Sequence, residues 1–279
     1  MTARWIDAHC HLADRRLDRD RDAVLERSRA AGVGTWIQGG YDPADWVRQA
    51  ALAQRVGEGF VCAFGLHPWF ALEAPDVRLD AALRRLEEML PRVGLLGETG
   101  LDRFRLRKLP EGRRAEADRR QRRAFQAQLA LAYGKRYPLV LHVVRAHADV
   151  LAKLESLGPP PAGGMVHSFS GSADDARRYL ALGFHLSFGT GALRPGRESL
   201  LALAATVPPE RRLLETDAPN QAVEPLAPNG SATLNEPAQL LSVARALAPL
   251  VGASAERVLD DAADAARALL AKRHQPENR

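Results

Sequence analysis

Cysteine is nearly absent: Cys10 and Cys62 are the only two in 279 residues. Two thiols cannot build a disulfide framework, so the fold is expected to rest on its core, in a reducing cytoplasm. Long apolar runs are missing as well. No stretch reaches the ~18–20 residues that a membrane-spanning helix needs, so no membrane partner is expected. Met1-Thr2-Ala3-Arg4 leads straight into the first expected strand, which leaves no room for a signal peptide. Lysine is scarce, 4 residues against 35 arginines. There is no low-complexity segment, no linker and no repeat of 20–50 residues. With 46% hydrophobic residues, the chain can fill one large core, so a single domain over residues 1–273 is expected, with a polar tail at 274–279.

What is present is alternation. Short, nearly all-apolar runs predict strands over 5–7, 35–38, 61–64, 94–98, 139–142, 165–167, 185–188 and 213–217. Such runs suit strands buried on both faces of a parallel sheet. Amphipathic patterns between them predict helices over 20–31, 43–56, 80–90, 114–135, 148–157, 173–182 and 198–205, then 237–251 and 255–272. Eight β-α units predict an α/β fold, the TIM-type (β/α)8 barrel.

The most informative stretch is Asp7-Ala8-His9-Cys10-His11. An extended chain sends side chains i, i+2 and i+4 the same way. His9 and His11 therefore converge, with Asp7 placed to orient one of them, and Cys10 packs on the opposite face. His67 follows the third expected strand, and Glu98, His142, His167 and Asp217 end the fourth, fifth, sixth and eighth. In a barrel, catalytic residues come from the C-terminal ends of different strands, so these seven residues are expected on one rim. A mixed imidazole–carboxylate set suits Zn²⁺ or Mn²⁺ and, with water positions open, Mg²⁺. Six ligands exceed what one tetrahedral ion needs. Two divalent metal ions sharing a carboxylate are the natural arrangement, able to activate a water and clamp a phosphodiester.

Charge is concentrated. The net charge is +5, yet residues 103–123 hold ten basic and three acidic side chains. A focused positive field attracts a polyanion such as nucleic acid. Arginine-rich composition and a merely solvated helix face explain the same counts, and both explanations stay open at this point.

The ordered motifs resemble the TatD family of metal-dependent deoxyribonucleases, within the amidohydrolase-type barrels. They are Asp-Ala-His-Cys-His-Leu (7–12), Gly-Leu-His-Pro (65–68), Gly-Glu-Thr-Gly-Leu-Asp (97–102), Pro-Leu-Val-Leu-His (138–142), His-Ser-Phe-Ser-Gly (167–171), Leu-Leu-Glu-Thr-Asp-Ala-Pro (213–219) and Asn-Glu-Pro (235–237). The resemblance implies that His9, His11 and Asp217 hold one ion and that His142 and His167 hold the other, with Glu98 between them. It further implies that Asp217 takes a proton from the attacking water and that His67 and Arg145 contact phosphate. Asp102 and Glu215 are expected as supporting carboxylates, and Glu236 as an anchor of the last loop. Arg107 and Arg114 are expected to track the nucleic-acid backbone. Two departures from the family pattern stand out. Arg145 comes one place late, after Val143-Val144, and Asn220 follows Asp-Ala-Pro.

The activity implied is phosphodiester hydrolysis of nucleic acid, trimming single-stranded DNA, or RNA, from the 3′ end, by a monomer. The same site chemistry leaves open an ester or amide hydrolase, such as an aminoacyl-tRNA deacylase or a small-molecule amidohydrolase. A non-catalytic nucleic-acid-binding protein is disfavoured by the complete ligand set.

Overall fold

Strands and helices alternate along the chain in the computed structural model, which describes residues 4–90, 93–223 and 233–272. The tail expected at 274–279 lies outside the described residues. In chain order the elements are β1 (Trp5–Cys10), α1 (Arg21–Ala30), β2 (Val33–Gln38), α2 (Pro43–Val56), β3 (Phe60–Val61), β4 (Ala63–Phe64), α3 (Pro68–Glu73) and α4 (Asp76–Met89). Then come β5 (Leu95–Asp102), α5 (Arg103–Arg107), α6 (Glu111–Lys135), β6 (Leu139–Val144), α7 (His147–Leu157), β7 (Gly164–Val166) and α8 (Ala173–Ala181). β8 (Phe184–Phe188), α9 (Glu198–Thr206), β9 (Arg212–Leu214), α10 (Leu240–Val251) and α11 (Ala255–Leu270) complete the series. No single described helix is long and apolar enough to cross a membrane.

The eight expected strands are all present, with one split. The third run divides at Cys62, because Phe60–Val61 pairs with β2 while Ala63–Phe64 pairs with β5. Two short helices, α3 and α5, had no periodic signal, since six and five residues make fewer than two turns. Each is started instead by a side-chain cap. The His67 ring accepts the Trp69 N–H, and the Asp102 carboxylate accepts the Arg105 N–H.

Contacts group the chain into two compact units. The first takes the chain up to Gln38, Gln49–Val61 and Leu186–Ala268. In it β1, β2 and β3 run parallel, and β8 pairs in parallel with β9. Trp36, fully buried, donates its indole N–H to Ser28 of α1, whose hydroxyl donates to the Val33 carbonyl. That pins α1 to the strand it precedes.

The second unit takes Gly39–Arg48, Cys62–His185 and the residues from Leu269 on. Here β4, β5, β6 and β7 form a parallel ladder. The Gln128 amide of α6 brackets Leu66, accepting from its N–H at 2.8 Å and donating to its carbonyl at 3.1 Å. This sets the position of His67, the next residue. Strand β5 carries a register shift between Gly97 and Thr99, which leaves Glu98 without a ladder partner on β6. A bulge of this kind re-aims the extra side chain. The Glu98 N–H goes instead to the Gly40 carbonyl, and the Gly40 N–H to the Gly97 carbonyl, each at 3.0 Å.

That approach needs glycine. A Cβ on Gly40 would stand 2.4 Å from the Gly97 oxygen, and one on Gly65 would stand 2.5 Å from the Gly97 carbonyl carbon. The Gly40→Ala variant is expected to lose ~1–3 kcal/mol or more and to bind less metal, read by urea unfolding and metal analysis. Wild-type unfolding with full metal content would contradict the close packing under Glu98.

Candidate metal centre

The first unit gathers His9, His11 and Asp217. His9 lies in β1, His11 just past it, and Asp217 three residues beyond β9. The alternation predicted for an extended chain holds, and the two Nε2 atoms stand 3.3 Å apart. Asp217 Oδ1 lies 3.2 Å from His11 Nε2 and 3.8 Å from His9 Nε2. Donor atoms ~2.0–2.1 Å from one ion, at angles between octahedral and tetrahedral, stand roughly 2.9–3.4 Å apart. The separations of 3.3 and 3.2 Å fall in that range and the 3.8 Å between Asp217 and His9 is wider, so the set suits a divalent ion in chemistry and in two of its three spacings.

Asp7 supports this group differently from the expectation. It does not face an imidazole. Its Oδ1 accepts the backbone N–H groups of Thr216 at 2.9 Å and His9 at 3.2 Å, and its Oδ2 meets the Thr216 hydroxyl at 2.5 Å. Burial pushes the Asp7 carboxyl up to about 8, against the pull of Thr216. The Asp217 N–H donates to the His9 carbonyl at 2.9 Å. Asp7 thus ties ligand-bearing backbone to ligand-bearing backbone. Asp217 has a left-handed φ of 57°, and its Oδ2 accepts from Gln221 Nε2 at 2.7 Å. Burial also raises the Cys10 thiol well above its usual range, which suits packing and not metal binding.

The second unit gathers His67, Glu98, His142 and His167, all buried. Glu98 Oε2 lies 2.7 Å from His167 Nε2 and 3.2 Å from His142 Nδ1, and those two nitrogens are 2.9 Å apart. The spacing fits one ion. Glu98 and His142 do not end their strands as expected, since β5 and β6 continue to Asp102 and Val144. The bulge at Glu98 is the reason, because it lets the ladder resume with Thr99 opposite Leu141.

Asp102 sets the tautomer of His142. Its Oδ2 lies 3.3 Å from His142 Nε2, so Nε2–H donates and the Nδ1 lone pair is left to face an ion. Burial pushes the Asp102 carboxyl up, but hydrogen bonds from His142, Trp69 and the Arg105 backbone bring it down to about 2. His67 differs from the ligands. Its Nδ1 accepts the Trp69 N–H at 3.0 Å, so the neutral ring carries its proton on Nε2. That Nε2 stands 3.6 Å from Glu98 Oε2, beyond hydrogen-bond distance.

Arg145 is exposed at the end of β6, with a left-handed φ of 53°. The basic segment is less free than its count implies. Arg103, Arg105, Arg119, Arg120, Arg122 and Arg123 each pair with a carboxylate from among Glu73, Asp76, Asp80, Glu116, Asp118 and Asp149. Arg114 Nε is held by the Leu109 carbonyl at 2.9 Å. Among the described residues Arg107 and Arg145 form no ion pair. Glu236 pairs with Arg27 through two bonds of 2.7 and 2.8 Å.

Two supporting residues escaped the sequence. Asn235 donates to the Thr216 carbonyl at 2.7 Å and to Thr190 Oγ1 at 2.8 Å, holding the chain just before Asp217. Trp69 donates its indole N–H to Asp102 at 2.6 Å. Only its place beside His67 hinted at that role.

Imidazole–carboxylate groups of this spacing, carried on parallel strands, define a metal-dependent hydrolase. Residues 6–271 match the family model for TatD related DNase, and the chain belongs to that family. It is 35% identical over 222 residues to the uncharacterized metal-dependent hydrolase YjjV of Escherichia coli, covering 79% of this chain and 81% of YjjV. It is 34% identical over 259 residues to a 3'-5' ssDNA/RNA exonuclease TatD of Pantoea vagans, covering 91% and 94%. Among solved structures, YjjV superposes with a TM-score of 0.81 at 30% identity over 96% of this chain and 98% of that one. A TatD-family hydrolase from Entamoeba histolytica gives 0.77 at 20% identity, with 99% of both chains covered, a likeness of fold alone. The α/β fold of the TIM-barrel class expected from the sequence is borne out.

An ion at His142 must displace any proton there. Burial lowers that ring's pKa, but Asp102 and Glu98 outweigh burial and hold it above its ordinary 6.5. A raised pKa keeps the ring protonated to higher pH, so metal affinity falls as pH drops through that raised value. Calorimetric titration of metal-stripped protein with Mn²⁺ should show binding that weakens from pH 8 to pH 6, approaching about tenfold per pH unit once the ring is protonated, and Asp102→Ala should cost ~10–100-fold at pH 8. Equal affinity at pH 8 and 6 would contradict this assignment.

Proposed function

We propose that this protein is a metal-dependent nuclease that shortens single-stranded nucleic acid from its 3′ end, acting as a cytoplasmic monomer. The observation that carries this reading is the pair of three-ligand groups, each suited to one divalent ion. Family membership supports the nucleic-acid substrate. The polarity and the single-stranded preference follow relatives named 3'-5' ssDNA/RNA exonuclease. The two buried or half-buried free thiols suit a reducing compartment.

His9, His11 and Asp217 would hold one ion, and Glu98, His142 and His167 the other. When bound, the ions would polarise the phosphoryl oxygens and acidify water. The remaining work falls to the chain. Asp217 orients the attacking water and accepts its proton, with Gln221 fixing its other oxygen. His67 presents Nε2–H to a non-bridging phosphate oxygen. Arg145 offers its planar fork to the same phosphate. Arg107 and Arg114 supply charge for the strand further from the cut.

A time course on single-stranded DNA labelled at either end tests the reading. Metal-stripped protein resupplied with Mg²⁺, Mn²⁺ or Zn²⁺ should shorten the strand stepwise from the 3′ end. Asp217→Ala and Glu98→Ala, shown folded by circular dichroism, should each lose at least ~10²–10⁴-fold. Full activity in both variants would overturn the assignment of roles. Turnover of an ester or amide by metal-loaded protein, with no strand shortened, would overturn the nuclease reading itself.

A further inference from the structure

We infer that Phe104, with Arg145 and Lys108 laid against it, is a stacking site for one base of a single-stranded substrate. The inference rests on the nucleic-acid reading above and adds how the strand is gripped. Phe104 begins on the short helix that Asp102 caps, and it is 41% exposed. Phe104 and Trp69 are the two exposed rings among the Phe, Tyr and Trp side chains of the described residues.

Its neighbours state what the cover is. The Arg145 guanidinium lies 5.0 Å from the ring centroid, and the Lys108 ammonium lies 4.2 Å from it. Neither cation forms an ion pair among the described residues, whereas six basic side chains of the same segment do. Of the segment's cations without an ion pair, Lys108 lies against this exposed ring, and Arg145, from just past β6, joins it there. Arg145 is also held at a left-handed φ of 53°. A non-glycine residue adopts that conformation at a cost, and such outliers concentrate where geometry matters for function. An aromatic face bordered by uncompensated cations is the chemistry that takes a base and its phosphate together. Lysine's flexible stem lets its ammonium leave the ring for a phosphate, and arginine can stay stacked.

A second ring connects this site to the metal ligands. Trp69, 37% exposed, has the Arg105 guanidinium 5.0 Å from its ring. It shares the Asp102 carboxylate with His142, and its ring centroid is 5.2 Å from that of His67. Both exposed rings therefore sit on short helices started by residues of the site. A duplex hides its base faces within its own stack, so the occupant is a single strand.

The test reads the contribution of bases and cancels that of phosphates. Full-length, metal-loaded protein is titrated by fluorescence anisotropy with an oligo-dT strand and with an abasic strand of equal length, both with phosphorothioate linkages to slow cleavage. The wild type should prefer the strand with bases by ~5–100-fold. Phe104→Ala should bring that ratio to within about twofold of unity, and Phe104→Tyr should restore it. A ratio unchanged in Phe104→Ala, no preference for bases in the wild type, or a duplex bound as tightly as the single strand would each overturn the inference. A ratio that behaves as expected in protein that never shortens a strand would leave this site standing and sink the nuclease reading alone.

Discussion

One buried carboxylate decides whether the first metal group exists. Asp7 has no solvent exposure and meets three donors, the amides of His9 and Thr216 and the Thr216 hydroxyl. Burying an acid is costly unless hydrogen bonds compensate, and for Asp7 burial still outweighs them, holding its pKa at about 8. Here the compensating bonds come from the backbone that carries the ligands. The end of β1 and the segment after β9 are thus held in one register, and the bond from the Asp217 N–H to the His9 carbonyl follows from it. The backbone that carries His9 and Asp217 is thus held together by an acid that is not itself one of the three candidate ligands.

Asp102 plays the matching part in the second unit, with a different set of partners. It caps α5, receives the Trp69 indole N–H and receives His142 Nε2–H. A single acid therefore fixes a helix start, an aromatic ring and a ligand tautomer. His67 repeats the economy, since the nitrogen that caps α3 is the one that leaves Nε2 as a donor. In both cases the short helix and the functional side chain are consequences of one hydrogen bond. This is why the helices are short: their starts are dictated by the site, not by an amphipathic face.

The sequence made the ligands legible and their supports invisible, for physical reasons. Strand alternation is local, so His9 and His11 could be paired from spacing alone. The buried runs marked the strands that carry Glu98 and His142 and those that His167 and Asp217 follow. Asp7 was placed on the correct face, but its partner Thr216 is 209 residues away, and no local pattern reaches that far. Asn235, which braces Thr216, was unreadable for the same reason. The split at Cys62 and the bulge at Glu98 depend on which neighbour each strand finds, a tertiary property.

Net charge was the most misleading number in the sequence, and its correction changes how the surface should recognise a strand. Ten basic residues over 103–123 suggest a broad electropositive band. Acids from α3, α4 and α7, and Glu116 and Asp118 one turn away on α6 itself, pair with six of them. Exposed ion pairs of this kind add little stability, but they reduce the long-range field that the count implies, and salt screens what is left beyond ~10 Å. Attraction at a distance is therefore a weak discriminator for this protein. Recognition must come from short-range contacts where charge is left over, around Arg145 and the C-terminal end of α5. Aromatic and cationic groups share that place, and stacking depends on a base being unpaired in a way that charge does not. A preference for single strands follows from this surface without any appeal to its net charge.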